Sequence, residues 1–266
     1  MPKVKVNDIN IYYETHGKGF PLVMIMGFSG NLYWWDPSLI EKLARRFRVI
    51  IFDNRGSGRT DAPKFDYSMK MFADDTSGLM KALNIQSAHV LGSSMGGAIA
   101  QELAINYPER IEKLVLCSTN CGFSKSVLPS PQVLKFMTSG RMGLAADEED
   151  LKRTFSLMFT EDFIRKNPSF LEQFSERMRN YPITPEGYRG QAIANAKFNT
   201  YSRLPSIKVP TLVIHGKKDI ILPPENARIL AERIPGAKLV IFENHPHAML
   251  YQEIDEVIKV IIEFLT

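Results

Sequence analysis

The sequence predicts an α/β protein: a mostly parallel, eight-stranded sheet with helices on both faces and an inserted helical cap. Three observations carry this. Short apolar runs alternate with helix-periodic stretches from residue 22 to residue 117, and again from 211 onward. Between these blocks, residues 123–204 offer no good strand and read as helices punctuated by Pro, Met and aromatic residues. At the end, Ile254, Val257, Ile258, Ile261, Ile262 and Leu265 share one face of a strongly amphipathic helix. The expected division is a core of residues 1–122 and 205–266 and a cap of residues 123–204.

The elements follow in order. Residues 3–6 and 9–14 read as two strands around the turn signal Asn7-Asp8. They would add an antiparallel edge. Residues 22–26 form an apolar run ending at Gly27, and residues 49–52 form another, followed by Asp53-Asn54-Arg55-Gly56. Met69, Phe72, Leu79 and Leu83 fit one helical face. Residues 88–91 are a strand, and Ile99, Leu103 and Tyr107 continue as a helix that Pro108 stops. Residues 114–117 and 211–215 are strands, 224–233 a helix with Pro in its first turn, and 238–242 the last strand. In the insertion, Leu151, Phe155, Met158 and Phe159 share one face, and Phe170, Phe174 and Met178 another. An insertion leaving the carboxyl end of a strand is placed to roof the crevice where open α/β sheets bind ligands.

Composition narrows the function classes. The chain has 266 residues, 44% hydrophobic and 23% charged, which suits one large domain or a core with an insertion. A net charge of +4 is too weak and too scattered to argue for nucleic acid. The basic cluster Arg45-Arg46-Phe47-Arg48 reads as the solvated end of a helix. Cys117 and Cys121 have no companion Cys/His pair, so neither a zinc site nor a disulfide framework is expected. Cys117 reads as a buried free thiol. No stretch approaches 18 consecutive apolar residues, and the first residues begin a strand rather than a signal peptide. The expectation is a cytoplasmic protein without membrane insertion.

The segment Gly92-Ser93-Ser94-Met95-Gly96 carries the chemistry. It has the form G-x-S-x-G and lies between a strand and a helix. Such a turn lifts Ser94 Oγ off the end of the sheet on a strained backbone, which small neighbours must tolerate. Gly92, Gly96 and Gly97 are those neighbours. Ser94 is therefore read as a nucleophile. It needs a base, and the base needs a carboxylate to orient it. Of five histidines, His16 and His89 read as structural, and His215 ends a strand. His245 and His247 lie between the last strand and the last helix. Asp219 follows the strand at 211–215, with Glu225 as the fallback acid. The order Ser94, Asp219, His247 is that of one hydrolase class. Two backbone amides must also face the developing oxyanion. Met95 offers one at a helix N-terminus, and Phe28, in Met26-Gly27-Phe28-Ser29-Gly30, offers the other. A phosphate-binding loop is not indicated, since G-x-x-x-x-G-K-[ST] is missing.

With those residues in view, the chain resembles the α/β-hydrolase fold superfamily along its whole length. Gly27-Phe28, the run from Asp53 to Asp61, Gly92 to Gly96, His215-Gly216-Lys217-Lys218-Asp219 and His247 carry the resemblance. The run around Asp53 to Asp61 is typical of the cap-bearing esterase, lactonase and C–C hydrolase branch. The resemblance implies a serine hydrolase with Ser94 as nucleophile, His247 as base and Asp219 as orienting acid. Two positions depart from the pattern. Met26-Gly27 replaces the frequent His-Gly, and the catalytic His, usually preceded by Gly, here lies in Asn244-His245-Pro246-His247. Family spacing to the last helix favours His247 over His245. Serine rather than aspartate at the turn speaks against alkyl halides.

The expected function is a carboxylesterase that needs no cofactor or metal and cleaves small to medium, largely apolar esters. Trp34 and Trp35 are candidates to line its pocket. The same triad would serve a lactonase or a C–C bond hydrolase. A reading of another class is a ligand sensor on the same fold with slow turnover.

Overall fold

Continuous apolar runs build the centre of one eight-stranded sheet. In chain order its strands are β1 (Lys3–Val6), β2 (Ile9–His16), β3 (Phe20–Ile25), β4 (Phe47–Phe52), β5 (Ala88–Ser93), β6 (Ile111–Cys117), β7 (Thr211–Gly216) and β8 (Lys238–Phe242). In space the order is β1-β2-β4-β3-β5-β6-β7-β8. β1 and β2 join antiparallel, β2 joins β4 antiparallel, and every later pairing is parallel. The computed structural model describes residues 3–142, 147–252 and 254–266. Met1, Pro2 and residues 143–146, inside the expected core and cap ranges, lie outside the described residues, as does Glu253.

Alternate side chains of a strand face opposite sides of the sheet. In β3, Leu22 and Met24 enter one buried cluster while Val23 and Ile25 enter the other. The first cluster is covered by α1 (Pro37–Ala44), through Leu39 and Leu43, and by α10 (Ile254–Leu265), through Val257 and Ile261. The second is covered by α2 (Met69–Ala82), α3 (Met95–Asn106) and α9 (Glu225–Arg233), through Phe72, Ile99 and Leu230. The order in which strands are added reverses at β3, which pairs in parallel with β4 on one side and β5 on the other. That is the switch point at which open α/β sheets form a ligand crevice.

Between β6 and β7 run α4 (Pro131–Met137), α5 (Glu148–Met158), α6 (Glu161–Lys166), α7 (Pro168–Arg179) and α8 (Pro185–Lys197). Aromatic rings hold part of this segment together. Phe159 stacks on Phe163 at 5.2 Å, and Phe174 meets Tyr251 at 5.2 Å and Trp34 at 5.9 Å. α8 packs differently: its buried residues are Gly187, Gly190, Gln191 and Ala194. A Cβ on Gly187 would stand 2.1 Å from the Gly56 carbonyl oxygen, so the two backbones touch.

Several strand ends differ from the sequence expectation, each because pairing extends the strand beyond its apolar run. β2 continues to His16, which pairs with Val49, rather than stopping at Glu14. β3 and β4 begin earlier, where Phe20 pairs with Phe47, and β6 begins at Ile111, opposite Ala88. Pro224 caps α9 instead of lying inside it. His89 packs between Phe20 and Phe47, 4.7 and 5.8 Å away. Cys117 and Cys121 are buried and free, and burial pushes the Cys117 thiol up to about 12. Among the described residues, no helix is long and apolar enough to cross a membrane.

Arg55, just past β4, is fully buried and ties three elements together. Its Nε donates to Asp75 of α2 at 2.8 Å, and its Nη2 donates to Asp8, between β1 and β2, at 2.7 Å. Removing one partner of a buried ion pair leaves an uncompensated charge. Asp75→Ala is expected to lower stability by about 3 kcal/mol, read from the urea unfolding midpoint at constant slope. An unchanged midpoint would contradict this role.

Candidate functional site

β5 ends at Ser93 and α3 begins at Met95, so one residue, Ser94, makes the turn. Its φ of 56° and ψ of −120° lie where an L-residue rarely sits. Hydrogen bonds hold this geometry. The Ser94 N–H donates to the Cys117 carbonyl at 2.9 Å, and the Thr119 hydroxyl donates to the Ser94 carbonyl at 2.7 Å. A Cβ on Gly92 would lie 2.3 Å from the Gly96 oxygen, and one on Gly96 2.0 Å from the Ile25 oxygen. The turn therefore closes only with glycine at both places. Ser94 makes no side-chain cap bond to α3, which leaves Oγ free to face the cavity it borders.

Residues 26–30, after β3, pass directly beside this turn. A Cβ on Gly27 would stand 3.1 Å from Ser94 Cβ. Phe28 and Met95 both border the same cavity as Ser94. Neither backbone N–H donates to a protein acceptor among the described residues.

Asp219 lies in the loop after β7 and is buried. Its Oδ1 accepts from the N–H groups of Ile221 (2.9 Å) and Leu222 (2.8 Å). Its Oδ2 lies 2.8 Å from His247 Nδ1 and 3.0 Å from His215 Nε2. Burial alone would raise this carboxyl. Electrostatic attraction to the His247 and His215 imidazoles, and hydrogen bonds from both, outweigh it and hold Asp219 well below the usual carboxylate range. With Nδ1 bound to Asp219, Nε2 is the His247 nitrogen that remains for another partner. Ser94 and His247 border one cavity without a direct hydrogen bond between them. Such contacts commonly tighten only when substrate is bound.

The structure thus brings Ser94, Asp219, His247, Phe28 and Met95 to one end of the sheet. His245 is buried, neither of its ring nitrogens has a partner among the described residues, and it is His247 that reaches Asp219. Glu225, the fallback acid, is exposed in the first turn of α9. Trp34 borders the cavity; Trp35 is not part of its lining and borders a separate groove with Tyr33 and Arg177.

The cavity holds about 460 Å³. Met26, Met95, Met137, Met142 and Met158 line it together with Phe123, Leu134 and Ile193. Among the described residues, no Lys, Arg, Asp or Glu side chain borders it. Nor, among them, does any group of three or more His, Cys, Asp or Glu form a metal-binding arrangement.

The family model for the alpha/beta hydrolase fold matches residues 21–254. The chain belongs to the α/β-hydrolase fold family. Among curated relatives, a poly(3-hydroxyalkanoate) depolymerase of Ectopseudomonas oleovorans is 33% identical, over 92% of this chain and 84% of that protein. Two solved α/β structures are similar along nearly the whole length. An enol-lactonase from Burkholderia xenovorans LB400 superposes with a TM-score of 0.85 at 29% identity, covering 99% of each chain. A thermophilic esterase from Thermogutta terrifontis does so at 0.84 and 26% identity, covering 100% of this chain and 98% of that one.

Within this α/β-hydrolase fold His215, which the sequence alone places at the end of a strand, is a second imidazole partner of Asp219. Its Nε2 also lies 2.8 Å from the Leu222 carbonyl, while Nδ1 is buried without a partner. Nε2 therefore carries the proton and donates toward both Leu222 and Asp219, since a proton on Nδ1 would be stranded. The available signal was the spacing His215-Gly216-Lys217-Lys218-Asp219 across a turn.

The depressed Asp219 carboxyl sets a sign for acid stability. A group held below its unfolded value, about 3.9, stabilises the fold above that pH and loses the contribution as pH falls toward the folded value. The stability difference between wild type and Asp219→Asn is expected to shrink as pH falls from ~5 to below ~4. Urea titrations across that range check it; a pH-independent difference would contradict it.

Proposed function

We propose that this α/β hydrolase is a serine carboxylesterase acting on small to medium, uncharged, largely apolar esters. The observation that carries the reading is the shared cavity: a strained serine with a free hydroxyl borders the same space as a histidine fixed by a buried carboxylate. In this mechanism His247 Nε2 takes the Ser94 proton as Oγ attacks the ester carbonyl. Asp219 holds the tautomer and stabilises the imidazolium. The Phe28 and Met95 amides receive the oxyanion. His247 then protonates the leaving alcohol, and water repeats the sequence on the acyl-enzyme.

Helices α4–α8 act as the cap. Three of them, α4, α5 and α8, supply Leu134, Met137, Thr154, Met158, Tyr188 and Ile193 to the lining of the cavity that Ser94 borders. The absence of formally charged residues among the described lining supports a neutral substrate. Moving an ionised carboxylate into a largely apolar site without a cation costs several kcal/mol. Among residues 1, 2, 143–146 and 253, none is Lys or Arg. A lactone is a cyclic ester and passes through the same steps; the similarity to an enol-lactonase supports including that class. Neither a C–C hydrolase nor a slow ligand sensor has a structural observation of its own in its favour.

p-Nitrophenyl esters of graded chain length test this reading. Neutral butyrate to octanoate esters are expected to turn over. An ester of the same length ending in a free carboxylate is expected to show kcat/KM at least ~100-fold lower. Ser94→Ala is expected to remove at least about 10³-fold of the turnover while the protein stays folded. Turnover unaffected by Ser94→Ala would overturn the nucleophile assignment, and equal rates on charged and neutral esters would overturn the substrate class.

A further inference from the structure

Gln191 lies in the middle of α8, is fully buried, and among the described residues makes no hydrogen bond to Ser94, His247 or Asp219. All its polar atoms are nevertheless engaged. Its Oε1 accepts the Ser29 N–H at 2.8 Å. Its Nε2 donates to the Arg55 carbonyl at 3.1 Å and to Ser57 Oγ at 2.9 Å. One side chain of the inserted segment therefore clamps the loops that follow both β3 and β4.

The Ser29 contact is the informative one. Ser29 has a φ of 59°, a conformation that costs energy for a residue with a side chain. Something must hold it there, and the Gln191 carbonyl bonds the N–H of that residue. The peptide so fixed is the one directly after Phe28. On the other side of Phe28, Asn54 Nδ2 donates to the Met26 carbonyl at 2.9 Å. The Phe28 amide is thus strung between two anchors, one in the core and one on α8. α8 touches this loop a second time, where the Tyr188 ring meets the Phe28 ring edge-on at 4.9 Å. The helix itself is a stiff support, because its Gly187 backbone lies directly on Gly56.

The geometry points to Gln191 as a positioning residue for the reaction: through Ser29 it aims the Phe28 N–H at the oxyanion. This makes α8 part of the catalytic framework rather than only a wall of the pocket. The inference rests on the serine-hydrolase reading above. Its mark is kinetic. An oxyanion donor acts on the transition state, so losing its aim lowers kcat and leaves KM nearly unchanged. Loss of a mere cap anchor would loosen the substrate wall, raise KM and lower stability.

The test measures kcat and KM on p-nitrophenyl butyrate for wild type, Gln191→Met and Ser57→Ala. Gln191→Met keeps the length and removes the acceptor for Ser29; kcat is expected to fall about 10–100-fold with KM within about twofold. Ser57→Ala breaks the Gln191–Ser57 bond but spares Ser29, and its kcat is expected to stay within about threefold. Should Gln191→Met not fold, Gln191→Asn, which withdraws the same amide by one methylene, replaces it with the same expectation. Unchanged kcat in the Met or Asn variant, or equal losses in Ser57→Ala, overturns the positioning role while leaving the nucleophile assignment intact. A wild-type protein without Ser94-dependent ester turnover overturns both.

Discussion

The parallel seam between β3 and β5 is the constraint on which the rest depends. Ile25 lies opposite Gly92 in that pairing, and the chain leaving β5 must turn against the chain leaving β3. The clearance is so small that a methyl on Gly96 would overlap the Ile25 carbonyl. This closeness has two consequences. It keeps Ser94 in a conformation that an isolated turn would abandon. It also places residues 26–30 beside that serine, so the Phe28 and Met95 amides belong to the two chains that diverge from one seam. A slip of one residue in this pairing would exchange the faces of every side chain in the strand.

Charge is confined as tightly as the backbone. Among the described residues, the Asp219 carboxylate has four polar neighbours at hydrogen-bond distance: two amides and two imidazoles. Burial would otherwise favour the neutral acid. The negative charge is thereby spread at the base of the site while the described cavity lining carries no Lys, Arg, Asp or Glu. Charge that develops during a reaction would meet fixed dipoles instead of mobile ions, the arrangement that gives electrostatic preorganisation its strength. The methionines of the lining add a wall that can adapt to substrates of different shape.

Much of this was legible in the sequence because it is local. The glycines around Ser94 encode a sharp turn. The strand-length runs before Gly27 and Asp219 encode the strand ends that carry the loops, and the amphipathic stripe of residues 254–265 encodes the covering helix. Long-range contacts were not legible. The extra pairs that lengthen β2 and β4 depend on a partner strand, not on the residues themselves. Trp34 and Trp35 are neighbours of one residue type, and only the packed fold separates one that borders the cavity from one that faces a different groove. Gln191 carries no sequence signal at all: its bond to Ser29 spans 162 positions. His215 lies between these cases, close to Asp219 in sequence but identified as its partner only by the loop that folds back on it.

The central claim is that Ser94 attacks because His247, oriented by Asp219, removes its proton. Covalent labelling with an alkyl fluorophosphonate, read by intact mass and peptide mapping, tests it most directly. The expected result is one phosphonyl group per chain, on Ser94, with labelling strongly slowed in His247→Ala. Modification of a different residue, or labelling of Ser94 at an undiminished rate without His247, would contradict the account.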